Sequence, residues 1–271
     1  MTSSPAKRAP DLTGLRVCIT RPQQQQSAWR TALAGAGAET LSIPLLAIEP
    51  LRDRQSIDRI KALVMDLDHY QVGIFVSRNA VHHALEWIDR YWPQPPLGID
   101  YFAVGEATAR ALREDGIVAQ SAQQAMNSEA LLALPVLQAV ADKKVVIFRG
   151  RGGRPLLAEQ LCARGAQVQY CELYQRRLPA EAAATMARSG LGRRADVISV
   201  HSGETLTNLE QVIETNGQVV LRHLPLLVPG QRVAELAREL GFDTVVVAEN
   251  ATDRAMLGAL SEWHASSSSL Q

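Results

Sequence analysis

The chain has no surplus of charge in either direction: 28 Lys plus Arg stand against 28 Asp plus Glu in 271 residues. A protein built to grip nucleic acid carries a basic excess, so that class is disfavoured, although a local basic groove stays open. Cysteine is scarce as well. Cys18, Cys162 and Cys171 have no CxxC spacing, and each lies in or beside an apolar segment, a pattern expected of buried thiols in a reducing compartment. No segment approaches the roughly eighteen uninterrupted apolar residues of a membrane span. Residues 1–14, MTSSPAKRAPDLTG, lack the apolar run of a signal peptide, so the expected location is the cytoplasm, away from any membrane.

Several catalytic signatures are missing. There is no GxGxxG, no GxxxxGK followed by Ser or Thr, and no GxSxG. In GRGGRP the glycines fall at 150, 152 and 153, the wrong spacing for a dinucleotide loop, and Pro155 suits the first turn of a helix. His82 and His83 are adjacent and project from different parts of a helix surface, so no metal site is expected. The remaining histidines are read as belonging to no acid or nucleophile constellation, and Asp66 and Asp68, beside His69, as a solvated helix end. An enzyme so poor in conventional machinery would work by positioning a reactive substrate.

What is present is a regular alternation. The apolar runs LRVCIT, VGIFVS, YFAV, KVVIFR, DVISV, LPLLV and TVVVA are separated by helical patterns rich in Ala, Leu, Arg and Glu. Such strands belong to parallel sheets covered on both faces. The expected fold class is therefore α/β with doubly wound sheets. A shift of 128 sets Arg21 over Arg149 and Leu33, Gly37, Ala38 and Leu45 over Leu161, Gly165, Ala166 and Leu173. A shift of 125 sets Ser77 over Ser202 and GEATARALREDG over GQRVAELARELG. Two extended, Pro-bounded stretches, IPLLAIEPL and CELYQRRLP, align under the first shift and are expected to pair as a linking ladder. The end segments, residues 1–11 and 265–271, have the composition of disordered tails.

The polar residues worth attention cluster where strands end, the place at which open parallel sheets bind ligands. They are Thr20 and Arg21; Ser77, Arg78 and Asn79; Gly105 and Thr108; Arg149 to Arg154; Ser202; and Gly230 to Arg232. Free backbone NH groups at helix starts, small hydroxyls and arginines suit a ligand with several carboxylates or phosphates. The plainer reading of Ser77, Asn79, Asn127, Ser128 and Ser202 is that they are N-caps. For RGRGGR a third reading is RNA binding, which the absence of repeated RGG units and of net positive charge disfavours.

The motifs IPLLAIEP, IFVSRNAV, VGEATARAL, FRGRGGR, ELYQRR and SVHSGETLTNL, in that order, resemble uroporphyrinogen-III synthase from about residue 15 to residue 260. The resemblance implies two flavodoxin-like α/β domains joined by a two-stranded β-linker, one built from about 12–45 plus 178–264 and the other from 46–177, with substrate between them. It implies cyclisation of hydroxymethylbilane to uroporphyrinogen III, with loss of water and inversion of the last ring, and needs no cofactor. Tyr174 matches the family's linker tyrosine and would assist departure of the hydroxyl. Thr108, Ser77 and Ser202 match family positions at strand ends and helix starts. Thr20, Arg21, Asn79, Gly105, Arg149, Gly150, Gly152, Gly153, Arg154 and Arg232 complete the expected substrate-binding set. Arg151, at the expected loop tip, is the arginine assigned to solvent. Gln231 and Arg232 depart from a family pattern that has threonines there. Expected partners are the tetrapyrrole substrate and product, by handover from hydroxymethylbilane synthase to a monomer, with no nucleic acid. A non-catalytic two-domain protein binding a polyanionic metabolite is the alternative.

Overall fold

The computed structural model describes residues 10–122 and 128–268. Contacts divide the chain into two compact units, Met1–Ala47 with Arg177–Gln271, and Ile48–Arg176. The chain thus begins the first unit, builds the second whole, and returns. It opens with β1 (Arg16–Ile19), α1 (Ser27–Gly35) and β2 (Glu39–Ser42). The second unit follows as β3 (Ala47–Pro50), α2 (Arg54–Met65), β4 (Val72–Phe75), α3 (Arg78–Tyr91), β5 (Asp100–Ala103), α4 (Glu106–Glu114) and β6 (Ala119–Ser121). It continues through α5 (Ser128–Leu132), α6 (Pro135–Gln138), β7 (Lys144–Gly150), α7 (Leu156–Ala163) and β8 (Gln167–Arg177). The first unit then resumes with α8 (Ala182–Ser189), α9 (Leu191–Arg194), β9 (Val197–Ser199), α10 (Gly203–Asn216), β10 (Leu226–Val228), α11 (Gln231–Glu239), β11 (Val245–Val247) and α12 (Asp253–Ser268).

The first unit holds a five-stranded parallel sheet in the order β2-β1-β9-β10-β11. The second holds six strands in the order β3-β8-β7-β4-β5-β6, parallel from β8 to β6. Counted from β1 in one unit and from β7 in the other, both give the order 2-1-3-4-5 of a flavodoxin-like sheet. The registers agree too: Arg16 faces Glu39 and Lys144 faces Gln167, each pair 128 positions from its counterpart.

Side-chain alternation explains why helices cover both faces. In the first unit Val17, Ile19, Val197 and Leu227 point to Trp29 and Leu33 of α1 and Met256 and Leu260 of α12. Cys18, Ile198, Leu226 and Val228 point the other way, to Met186, Leu206, Leu209 and Val233. In the second unit Val146 and Phe148 meet α2, α3 and α4, where Phe75 stacks on Phe148 at 4.5 Å. Val145 and Ile147 meet Leu131, Leu137, Leu157 and Leu161. Each such buried side chain contributes about 1.5–3 kcal/mol.

Two expectations change at this level. Cys162 is exposed on α7, while Cys18 and Cys171 are buried; burial pushes both buried thiols up to about 12. The segment 265–271 is not tail throughout, because α12 runs to Ser268. Its serines are accommodated by bonding back, Ser266 and Ser267 Oγ both donating to the Trp263 carbonyl. Asn127 lies outside the described residues. Among those described, no helix is long and apolar enough to cross a membrane.

Candidate functional site

In the second unit the strand ends converge on Tyr174. β8 carries one extra residue against β7: Arg149 faces Glu172 while Gly150 faces Tyr174. This bulge re-aims the tyrosine. Its ring lies so close over Gly150 that a Cβ there would come within 2.6 Å of it. His83 packs on the same ring at 5.3 Å between centroids. Tyr174 is 4% exposed, and its hydroxyl lies 3.0 Å from Ser77 Oγ. Ser77 is also the N-cap of α3, accepting from the Ala80 NH at 3.1 Å. Sequence order separates these groups widely, so neither the bulge nor the Ser77–Tyr174 contact is visible in it. His83 was legible as a residue and missed as a neighbour of the tyrosine.

The loop after β7 is organised from within. Arg149 is buried, and its guanidinium donates to the Gly150 carbonyl at 3.2 Å, the Arg154 carbonyl at 3.4 Å and the Gly152 carbonyl. It also lies over the Tyr170 ring at 4.6 Å. Gly152 and Gly153 have φ of 78° and 88°, and a Cβ on Gly153 would sit 2.6 Å from Arg149 Nη2. These glycines therefore serve the turn and leave room for the arginine. Arg151 is exposed, as expected, but it is held by partners. It reaches Ser56 Oγ at 2.7 Å and sits 3.5 Å from Asp53 and 3.9 Å from Glu172, and its NH donates to the Tyr174 carbonyl. Acidic partners on α2's N-cap and on β8, remote in sequence, hold it at the surface. Arg154, 82% exposed and 3.5 Å from Glu129, is the most exposed of the three.

Gly105 and Gly230 begin α4 and α11 with φ/ψ of 84°/155° and 104°/168°, a region essentially restricted to glycine. Thr108 is buried and donates its hydroxyl to the Val104 carbonyl at 3.0 Å. Asn79 is half-buried on the first turn of α3, and Arg232 is exposed on the first turn of α11.

The first unit spends its strand-end groups differently. Thr20 is fully buried, its hydroxyl given to the Ser199 carbonyl at 2.7 Å. Arg21 pairs with Asp253 at 2.6 Å and donates to the Ala251 carbonyl. Gln26, 2% exposed, donates to the Arg21 carbonyl and accepts from Ser42 Oγ; its place in a run of glutamines hid it. Ser202 caps α10, accepting from the Thr205 NH, and lies 2.9 Å from Thr205 Oγ1. Next to it, His201 packs edge-on against Trp29 at 5.4 Å. Burial, with Arg21 nearby, pushes this imidazole down to about 3, so it is neutral at any ordinary pH.

The expectation that His82 and His83 diverge is corrected. Both reach Glu86, at 3.6 Å and 3.4 Å, because a carboxylate one turn on lies between the two imidazoles.

Comparison with known proteins agrees with this architecture. The family model described as uroporphyrinogen-III synthase HemD matches residues 27–258. The chain is 36% identical over 251 residues to uroporphyrinogen-III synthase of Escherichia coli K12, covering 91% of this chain and 100% of that one. It is 36% identical to the Salmonella typhimurium protein of the same name over 252 residues, with the same coverage. In fold it is similar to a mutant uroporphyrinogen III synthase from the extremely thermophilic bacterium Thermus thermophilus, with a TM-score of 0.60, 19% identity, and 92% and 98% of the two chains covered. The Helicobacter pylori 26695 enzyme gives 0.59 at 16% identity, with 92% and 99% covered. With a family match across most of its length and full coverage of relatives above one-third identity, the chain belongs to the uroporphyrinogen-III synthase family.

Proposed function

We propose that the chain closes linear hydroxymethylbilane to uroporphyrinogen III, with loss of one water and inversion of the last pyrrole ring, and that Tyr174 assists departure of the hydroxyl. The observation that carries the tyrosine's role is its 3.0 Å contact with Ser77 Oγ. A serine hydroxyl has one hydrogen and two acceptor sites. The Ala80 NH takes one acceptor site, and the serine hydrogen can then go to the phenol oxygen. That leaves the phenol hydrogen free to point at a leaving hydroxyl. A phenol hydroxyl can donate that hydrogen to a leaving oxygen. The positive end of α3 polarises the same chain of bonds.

Loss of the hydroxyl leaves an electron-poor azafulvene. The terminal ring attacks it through its substituted α-carbon, and a spiro intermediate opens and recloses inverted. The substrate's own pyrroles supply the electrons. Without protein the bilane closes to the symmetric isomer, so the protein's task is to restrain one geometry. The eight carboxylates of the substrate are matched by the starts of α3, α4, α10 and α11, with Asn79, Gly105, Ser202 and Arg232, and by Arg154; Ser77 and Thr108, their hydroxyl hydrogens given to the phenol and to the Val104 carbonyl, hold those starts in shape. Thr20, Arg21, Arg149, Gly150, Gly152 and Gly153 shape the strand ends that present them. The domains are taken as 12–45 with 178–264, and 46–177. A substrate that cyclises by itself favours handover from hydroxymethylbilane synthase in the cytoplasm.

The test supplies fresh hydroxymethylbilane, oxidises the product and resolves the isomers. Type III porphyrin formed faster than the spontaneous reaction is expected; type I alone, at the protein-free rate, overturns the reading. Tyr174→Phe is expected to lower turnover by about 10²–10⁴-fold with an unchanged unfolding midpoint. Near-normal turnover would remove the tyrosine from the chemistry while leaving the function intact.

A further inference from the structure

α3 brings three metal-type donors together outside the hydrogen bond that holds Tyr174. His82 Nε2 lies 3.6 Å from Glu86 Oε1, His83 Nδ1 lies 3.4 Å from Glu86 Oε2, and the donor atoms of the trio all fall within 4.8 Å of one another. Among the described residues no other three His, Cys, Asp or Glu side chains meet this closely. Helical geometry is the cause, since residues three and four apart share a face and Glu86 is placed to serve both histidines.

We propose that His82, His83 and Glu86 form a binding site for a divalent transition-metal ion of the zinc class. Two imidazoles and one carboxylate suit such an ion and do not suit calcium or magnesium, which take oxygen ligands. A tetrahedral ion with bonds of about 2.0–2.1 Å needs donors about 3.4 Å apart. The two imidazole–carboxylate separations, one to each carboxylate oxygen, are close to that, and a turn of the carboxylate brings one oxygen between the rings. The His82–His83 separation closes by rotation of His82, whose side chain is 70% exposed and free to move. Ordinary ion pairing uses the trio poorly. The two rings lie 5.1 Å apart, so charging both sets like charges side by side, and one exposed carboxylate gains little from either. Three protein ligands leave a coordination position for water or a carboxylate. Because His83 packs on the Tyr174 ring, an ion here fixes the imidazole that borders the phenol.

The experiment titrates the full chain with zinc chloride by calorimetry, and with cobalt(II) by visible absorption, above neutral pH. One ion per chain is expected, with cobalt bands typical of nitrogen ligation and a metal-dependent rise in the unfolding midpoint. His82→Ala and Glu86→Gln should each weaken binding by about tenfold or more and remove the midpoint rise. Metal-free turnover of His82→Ala reports that the variant is folded, and calorimetry reads the site whatever the role of Tyr174. Equal affinity in the wild type and in His82→Ala would overturn the proposal, as would failure of the wild type to bind.

Discussion

The two units share a strand order and a register yet put different chemistry at matching positions. Ser77 and Ser202 each cap the helix that follows an equivalent strand. In the second unit the capping oxygen meets the Tyr174 hydroxyl, whereas in the first it meets Thr205. The position 128 residues before Tyr174 is Leu46. Position 76 holds Val where position 201 holds His, and Arg149 closes its own loop where Arg21 pairs with Asp253. One scaffold thus sets its capping serine against a phenol in one unit and against a threonine hydroxyl in the other.

The largest effect that would sharpen this difference concerns His201. Its folded value near 3 lies below an unfolded value of about 6.5. Between those pH values the unfolded chain binds a proton that the folded chain refuses. The stability from this group is therefore full above about pH 6.5 and is lost as pH falls toward 3, by on the order of 3–5 kcal/mol. Urea unfolding across that range should show a shallower acid limb for His201→Leu than for the wild type. Superimposable limbs would break this part of the comparison.

Next come the glycines. Gly105→Ala and Gly230→Ala should each cost about 1–3 kcal/mol, because both sit in the same glycine-restricted region. Equal costs support equivalence of the two helix starts. Gly150→Ala should cost a similar 1–3 kcal/mol through overpacking and, unlike the other two, should cut turnover by displacing the Tyr174 ring. Chemical denaturation beside the isomer-resolved assay separates the two effects.

The smallest is the pair of caps. Ser77→Ala and Ser202→Ala should each lose about 1 kcal/mol, measured by chemical denaturation. Ser77→Ala should lower kcat with little change in KM, and Ser202→Ala should not. If both variants lower kcat alike, the phenol contact is not what distinguishes the units.

The α/β class and the doubly wound sheets were legible because they rest on local pattern: continuous apolar runs such as VGIF and KVVIF suit strands buried on both faces. The strand-end residues were legible for the same reason, a small or cationic residue following an apolar run. The weak strand β6 was not. Its sequence AQS is short, polar and at a sheet edge, where one side lacks a neighbour and the pattern fades.

The sequence by itself determined where strands end and which polar groups gather there, since burial periodicity and helix starts are set by neighbours along the chain. Tertiary structure decided what each group does. Arg21 finds Asp253 across 232 positions and Tyr174 finds Ser77 across 97. Arg149 turns inward while Arg154 faces out. A single extra residue in β8 aims the phenol. A polar side chain takes the partner that sheet register and bulges bring within about 3 Å, and that distance is set by packing between elements far apart in sequence.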